Sequence, residues 1–302
     1  MKSRPTLTPV FVTVAALVAL ASIAGVEPPV GVQVVGLAIV VALVGLPHGA
    51  LDPVIAHDAG LVDGVSSLGR YLVGYVVLAA ATTGMWLAVP ALALPAFFVV
   101  SALHFGGDWS AIPSIGRAAG GAAVVLSPLW FQPDESASLL EPLADETTAD
   151  LMISAAGILA PAAVLVAITL GLRSGDRSVP AEIGAIVALA AIAPPLIAFG
   201  TYFCALHSPR HIGAVIDRSR IERRTAVATA AVFTVLTVGL AAIAWPLIES
   251  TADTDDAVIR LVIVGLAALT VPHMTTIERA RRRSAVSVAV DTNSLTPDRS
   301  AI

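Results

Sequence analysis

Stretches of about 20 almost wholly apolar residues recur along the chain, and this pattern restricts its fold more than any motif does. A helix needs about 20 residues to cross roughly 30 Å of hydrocarbon. Such stretches lie at 8–26, 30–48, 70–89, 91–108, 114–131, 150–172, 223–248 and 257–277. A ninth, 181–212, is too long for one crossing, and Pro194-Pro195 in its middle favours two short segments. The sequence predicts an all-α polytopic membrane helix bundle with about eight to ten transmembrane segments.

Composition excludes the main soluble classes. Hydrophobic residues make up 57% of the 302 residues and charged residues 13%, whereas soluble domains carry about 25% charged residues. These charges are too few to cover a water-soluble globule, so a soluble enzyme and a disordered chain are excluded. A nucleic-acid-binding protein would need clustered basic charge. The single cysteine, Cys204, excludes an intrachain disulfide.

The distribution of basic residues predicts the orientation, because cytoplasmic loops carry the excess of Lys and Arg. The basic regions are Lys2 and Arg4, the 173–179 and 210–224 loops, and 279–283, whereas the loops 131–150 and 249–256 are acidic. We expect a multi-pass protein of the prokaryotic cell membrane with both termini in the cytoplasm. We also expect one transmembrane catalytic domain over 1–283 and a polar, disordered cytoplasmic tail over 284–302.

Five of the six histidines lie near the ends of apolar stretches, namely His48, His104, His207, His211 and His273. Ionisable groups inside a membrane are costly and commonly mark functional sites. In the predicted orientation, all five lie at a similar depth near the cytoplasmic face. This convergence is what a metal centre in a helix bundle requires. His207 and His211 are four residues apart, so a helix presents both on one face.

Nearby charged residues are candidates for orienting these imidazoles, because a ligating histidine usually donates its second N–H to a carboxylate. Asp52 follows His48 by four residues and Asp108 follows His104 by four. Glu278, five residues after His273, is a less well placed candidate. Imidazole ligands suit zinc, copper, iron or nickel, and the residues alone do not choose among them.

Two further residues near these stretches have simpler interpretations. His57 lies beside Asp58 in a loop and is interpreted as structural. Arg210 is either a cytoplasmic anchor or a group that holds a carboxylate in place.

Four sequence blocks around the histidines resemble a known family. They are Pro-His-Gly-Ala-Leu-Asp at 47–52, His-Phe-Gly-Gly-Asp at 104–108, His-Ser-Pro-Arg-His at 207–211 and Pro-His-Met at 272–274. In this order they resemble the Brp/Blh family of prokaryotic β-carotene 15,15′-dioxygenases. The resemblance implies a membrane enzyme that uses Fe(II) and O₂ to split β-carotene at its central double bond. The products would be two molecules of all-trans-retinal, which would pass to a microbial rhodopsin.

The resemblance also implies roles for particular residues. The iron ligands implied by the matching blocks are His48, His104, His207 and His211. His273 matches a block, but whether it is a ligand, an orienting group or a substrate contact is left open. The substrate would be a hydrocarbon taken from membrane lipid, so aromatic side chains near the histidines are expected to line its tunnel. They are Phe98, Phe105, Trp109, Tyr202 and Phe203.

Two alternatives remain at this point. A membrane lipid desaturase or hydroxylase normally needs about eight histidines in dense clusters, and this chain spreads six over several helices. A metal or proton transporter would be favoured by paired carboxylates within the spans, whereas the acidic residues here lie mainly at the span ends.

Overall fold

The computed structural model of the chain describes residues 7–250 and 253–294, with side chains described up to residue 284. Within these residues the ordered elements are helices, and no β-strand occurs. Lys2 and Arg4, on which part of the orientation prediction rests, lie outside the described residues, as do residues 295–302 of the predicted tail.

The first half of the chain forms seven α-helices among the described residues. They are α1 (Leu7–Ile23), α2 (Val30–Val40), α3 (Leu46–Gly49), α4 (Asp52–Asp58), α5 (Val65–Ala88), α6 (Pro90–Phe105) and α7 (Ser114–Phe131). A π-helical turn, Val41–Gly45, joins α2 to α3, and a 3₁₀ turn, Gly106–Asp108, follows α6.

The second half adds seven more helices within the described part of the chain. They are α8 (Pro133–Leu140), α9 (Glu146–Ser174), α10 (Ser178–Ile192), α11 (Pro195–Tyr202), α12 (Ser208–Arg218), α13 (Arg223–Glu249) and α14 (Thr254–Ser294). A 3₁₀ turn, Glu141–Leu143, follows α8, and a π-helical turn, Phe203–His207, joins α11 to α12. Since α14 runs on to Ser294, the predicted domain boundary after residue 283 does not coincide with a helix end.

The long apolar stretch 181–212 is divided where its two prolines predict. α10 ends at Ile192, Ala193 is extended, and Pro194 directly precedes α11. Proline has no backbone N–H and disfavours helical geometry in the residue before it. Two separate segments therefore replace one long helix.

Helix α7 lies at the centre of the packing, against α6 on one side and α9 on the other. Two glycines permit the close approach of α6. A Cβ atom at Gly121 would lie 1.8 Å from the carbonyl oxygen of Ala102, and one at Gly106 would lie 2.5 Å from that of Arg117. Small residues let helix backbones approach closely in membrane bundles. This contact fixes the end of α6, where His104 lies.

The outer faces of the bundle are apolar. Val235 and Leu247 on α13 are 69% and 76% exposed, and similar residues cover the other long helices. In water a continuous surface of this kind would promote aggregation, whereas lipid solvates it.

Six helical segments of the described residues are long and apolar enough to cross a membrane. They are Val30–Asp58, Val65–Ala88, Pro90–Asp108, Glu146–Ser174, Arg223–Glu249 and Thr254–Ser284. Two shorter apolar helices, Leu7–Ile23 and Ser178–Ile192, lie beside them. The prediction of an all-α bundle with several membrane-spanning helices is confirmed, and the count of eight to ten crossings stays a prediction.

Candidate metal centre

Two of the histidine-bearing segments widen from α to π geometry just before their histidines. The π turn Val41–Gly45 precedes His48, and the π turn Phe203–His207 ends at a histidine. Pro47 and Pro209 follow these turns, and each proline lacks an N–H and would collide with the carbonyl four residues earlier in a regular helix. The wider turns accommodate this conflict, and such turns are frequent at functional sites.

The two widened turns pack directly against each other. A Cβ atom at Gly45 would lie 2.5 Å from Cε1 of Phe203. Only glycine lets the Phe203 ring reach the backbone here. The ring of Phe203 also stacks on that of His207, with centroids 5.7 Å apart. This packing brings the helix that carries His48 next to the helix that carries His207.

The five predicted histidines come together in one cluster. Ring centroids lie 4.7 Å apart for His104–His207, 5.0 Å for His104–His273, 5.1 Å for His211–His273, 5.2 Å for His48–His207 and His48–His273, and 5.5 Å for His48–His211. One ligand atom each from His48, His104 and His273 lies within 4.8 Å of the others. The imidazoles converge although their positions along the chain span 226 residues, from 48 to 273 inclusive.

Two imidazoles of the cluster contact each other directly, with Nε2 of His104 3.0 Å from Nε2 of His207. This distance fits an N–H···N hydrogen bond between neutral rings. It also fits two ligands of one ion, since nitrogens about 2.1 Å from a metal and about 90° apart are about 3.0 Å from each other.

Two carboxylates contact the outer nitrogens of the cluster. Oδ1 of Asp52 lies 2.6 Å from Nδ1 of His273, and the hydroxyl of Tyr75 donates to Oδ2 of Asp52 at 3.0 Å. Oδ2 of Asp108 lies 3.2 Å from Nδ1 of His207 and accepts from the hydroxyl of Tyr202 at 2.7 Å. Each carboxylate therefore orients an imidazole and is itself held by a tyrosine.

These pairings differ from the expected ones, in which Asp52 would serve His48 and Asp108 would serve His104. Asp52 begins a new helix after α3 ends, and Asp108 lies in a 3₁₀ turn. Because neither pair lies in one continuous α-helix, the four-residue spacing does not place its members on one face. The Nδ1–H of His48 is instead donated to the carbonyl oxygen of Gly45.

Among the described residues, two buried histidine nitrogens have no hydrogen-bond partner. Nε2 of His211 and Nε2 of His273 are buried and form no hydrogen bond. A buried polar atom without a partner is costly and needs an explanation, and a metal ion beside these nitrogens supplies one. A divalent cation would also balance the two carboxylates, Asp52 and Asp108, that contact the cluster. The donor set therefore fits a divalent metal that accepts imidazole ligands.

Other predicted residues lie elsewhere. Glu278 pairs with Arg281 at 2.8 Å and Arg282 at 2.6 Å on the surface of α14, so it does not orient His273. The side chain of His57 is 51% exposed and lies 3.8 Å from Asp58, outside the cluster.

Arg210 takes the second of its two predicted roles and holds a carboxylate that the sequence analysis did not single out. Its guanidinium forms a 2.6 Å ion pair with Glu182, whose side chain is fully buried, and donates to the backbone oxygen of Asp108 at 3.1 Å. The available signal was an acidic residue within the apolar sequence of α10. Tyr75 was also missed, and its sequence surroundings contain no comparable signal.

An aromatic cavity of about 840 Å³ including its mouth opens beside the cluster. Its wall includes His48, His104 and His273 together with Phe97, Phe199 and Phe203. A second cavity of about 780 Å³ adjoins it and shares Phe97, Ser101, Phe105, Phe199 and Leu266. Both cavities have mainly apolar walls, as small-molecule sites commonly do.

Of the five aromatic residues predicted to line a substrate tunnel, three lie in the walls of these two cavities. Phe105 and Phe203 line the first cavity, and Phe98 and Phe105 line the second. Trp109 and Tyr202 line neither. Their polar groups explain the difference, because Nε1 of Trp109 donates to Glu182 at 2.9 Å and the Tyr202 hydroxyl donates to Asp108. Both rings face the polar network behind the histidines.

Comparison with known proteins agrees with this geometry. Residues 39–279 match the family model described as beta-carotene 15,15′-dioxygenase. The curated beta-carotene 15,15′-dioxygenase of Uncultured marine bacterium 66A03 is 32% identical over 249 residues, which cover 79% of this chain and 90% of that relative. No solved structure matches. The five clustered histidines and both carboxylates lie within the matched range.

Proposed function

Because the chain belongs to the β-carotene 15,15′-dioxygenase family, we propose that it cleaves β-carotene in the membrane. The central double bond would be split with O₂, giving two molecules of all-trans-retinal. The observation that carries the proposal is the convergence of five imidazoles beside an apolar cavity.

The proposed cofactor is one Fe(II) ion held by His48, His104, His207 and His211, with His273 as a further donor. The unpartnered Nε2 atoms of His211 and His273 support this ligand set. Asp52 and Asp108 would keep the imidazoles of His273 and His207 in the tautomer that leaves Nε2 free for the metal. When bound, iron would supply the binding and activation of O₂.

The side chains around the cluster bind and shield the substrate. A carotenoid without polar groups can be recognised only by shape and apolar contact. The rings of Phe97, Phe199 and Phe203 provide flat apolar surfaces along the first cavity. Packing of a polyene between them would exclude water from the reacting double bond.

The reaction balances without any further reactant. The central C=C bond and the O–O bond break, and two C=O bonds form, so each product aldehyde receives one oxygen atom. No proton enters or leaves, and no reductant is consumed. Because no proton is transferred, the proposed mechanism needs no general acid–base pair.

The proposal also covers the source of the substrate, the recipient of the product and the location of the enzyme. β-Carotene would enter from membrane lipid and retinal would pass to a microbial rhodopsin. The enzyme would be a multi-pass protein of the cell membrane with both termini in the cytoplasm. Family membership favours this activity over that of a lipid desaturase or hydroxylase and over a transporter of metal ions or protons.

The test is to produce the chain in a bacterial host that accumulates β-carotene and to extract the pigments. Loss of β-carotene with formation of retinal is the expected result. Unchanged β-carotene beside verified, iron-loaded protein would contradict the proposal. A His207→Ala variant, produced to the same level, is the negative control.

A further inference from the structure

The second cavity, which we name the far cavity, extends away from the histidines. It shares Phe105 and Phe199 with the first cavity and continues to Leu129, Leu140 and Ile259. Its wall is almost entirely apolar, and it contains none of the five clustered histidines. It therefore adjoins the cavity that the histidines line but takes no part in binding a metal.

Helix geometry gives the distance from the histidines to the end of the far cavity. On α14, Ile259 precedes His273 by 14 residues, which is about 21 Å at about 1.5 Å per residue. On α7, Gly121 lies against Ala102 near His104, and Leu129 in the cavity wall follows eight residues later, about 12 Å further along. β-Carotene is about as long as the hydrocarbon core is thick, roughly 30 Å, so half of it spans about 15 Å. Half the length of a substrate molecule therefore falls between these two distances.

A short segment covers the end of the far cavity, and we name residues 133–143 the cap segment. It comprises α8 and the 3₁₀ turn after it, and it contributes Leu139, Leu140 and Leu143 to the cavity wall. Leu140 and Leu143 are buried. The cap segment therefore presents an apolar surface inwards at the point where an entering molecule has to stop.

Hydrogen bonds from three other regions hold the cap segment in place. Nε1 of Trp86 donates to the carbonyl oxygen of Leu143 at 2.8 Å. Nε of Arg260 donates to that of Pro142 at 2.8 Å. Just before the segment, Nε2 of Gln132 donates to the carbonyl oxygen of Ala190 at 2.7 Å. These bonds tie the cap segment to α5, α14 and α10, so its distance from the histidines is fixed.

Substitution of Ser136 can shorten the distance between the histidines and the end of the far cavity. Its side chain lines the far cavity, the residue is 2% exposed, and its Oγ forms no hydrogen bond. No hydrogen bond of that side chain is lost when it is replaced. A larger side chain at this position would enter the far cavity.

We propose that the far cavity holds one ring-bearing half of the carotenoid and that the cap segment sets how far this half enters. The central double bond then lies beside the metal centre because the distance from the histidines to the cap segment matches half the substrate length. This inference rests on the proposed function and adds the residues that determine which double bond is cleaved.

The inference predicts a change of product for substitutions in the cap segment. Ser136→Phe shortens the far cavity, so the ring stops nearer the metal and a bond closer to that ring is cleaved. The products become one shorter and one longer aldehyde in place of two retinal molecules. We expect the ratio of retinal to unequal aldehydes to fall about tenfold relative to Ser136→Ala. The reason is that the larger side chain overlaps the space that the substrate ring occupies in the unmodified chain. Leu140→Ala deepens the far cavity and also yields unequal aldehydes.

The experiment incubates each purified, iron-loaded variant with β-carotene and separates the aldehydes by chromatography, with iron content and thermal stability measured in parallel. Unequal aldehydes from Ser136→Phe or Leu140→Ala, at unchanged iron content, support the inference. Retinal alone from both variants overturns it, as does retinal alone from Leu140→Ala if Ser136→Phe fails to fold. Failure of the proposed function is distinguishable, because the unmodified chain would then form no aldehyde at all.

Discussion

Asp52 lies 2.6 Å from the imidazole of His273, although 221 positions separate the two residues in the chain. The contact joins the start of α4 to the middle of α14, and both residues are buried. It leaves Nε2 of His273 facing the other imidazoles without a partner. His273 therefore has the environment of a metal ligand, and Asp52 is the residue that orients it.

Replacement of Asp52 by Asn should weaken iron binding. An amide retains the size of the carboxylate but removes the charge that favours the correct tautomer, and such changes typically cost about 10- to 100-fold in metal affinity. Equilibrium titration of the metal-free protein with Fe(II) measures this. Asp58→Asn is the matched control, because Asp58 lies beside the exposed His57 and accepts a hydrogen bond from the backbone amide of Arg220, away from the cluster. Equal affinities for the two variants would contradict the assigned role of Asp52.

His207→Ala should abolish both iron binding and cleavage, whereas His57→Ala should change neither. His207 is buried and touches the rings of His48 and His104, while His57 is exposed and outside the cluster. Bound iron per chain and retinal formation are the two readouts. Similar losses in both variants would contradict the assignment of His207 as a metal ligand and of His57 as a residue outside the site.

Glu182→Gln should destabilise the protein. Removing one partner of a buried ion pair leaves the other charge uncompensated, at a typical cost of about 3–5 kcal/mol. Arg210 is partly exposed, so the lower end of this range is expected. Thermal unfolding in detergent measures the change. The double variant Glu182→Gln, Arg210→Met should recover part of the loss, and an additive further loss would argue against a paired role.

Gly121→Ala should prevent the correct packing of α6 on α7. The new Cβ atom would lie 1.8 Å from the carbonyl oxygen of Ala102, so the helices must separate and His104 must move. Gly74→Ala is the control, because nothing lies within 4 Å of its Cβ position. The yield of monodisperse, iron-binding protein checks the comparison. A normal yield from Gly121→Ala would show that the α6–α7 contact is looser than described.

The sequence predicted those features that depend on local pattern. Apolar stretches predicted the long helices, and Pro194-Pro195 predicted a helix break. The five histidines expected at one depth do lie in one cluster, and their depth in a membrane stays a prediction. Spacing along the chain failed where the helix was interrupted, as between His48 and Asp52. A four-residue interval has a fixed meaning only within one regular helix.

Long-range polar contacts were beyond prediction from the sequence. Trp109 and Tyr202 lie near the histidines in sequence, but their rings face Glu182 and Asp108 and not the cavity. Which side of a helix faces a cavity depends on the neighbouring helices, and the sequence does not state their arrangement. Tyr75 joins the site only because α5 packs on α14 beside Asp52.

X-ray absorption at the iron edge of the purified, iron-loaded protein shows whether the clustered imidazoles bind one iron ion. About one iron per chain is expected, with nitrogen neighbours about 2.1 Å away and the multiple scattering typical of several imidazole rings. His57→Ala should give the same spectrum, and His207→Ala should lose it. Iron bound without imidazole scattering, or no iron bound above the level of His207→Ala, would show that the clustered imidazoles do not form an iron site.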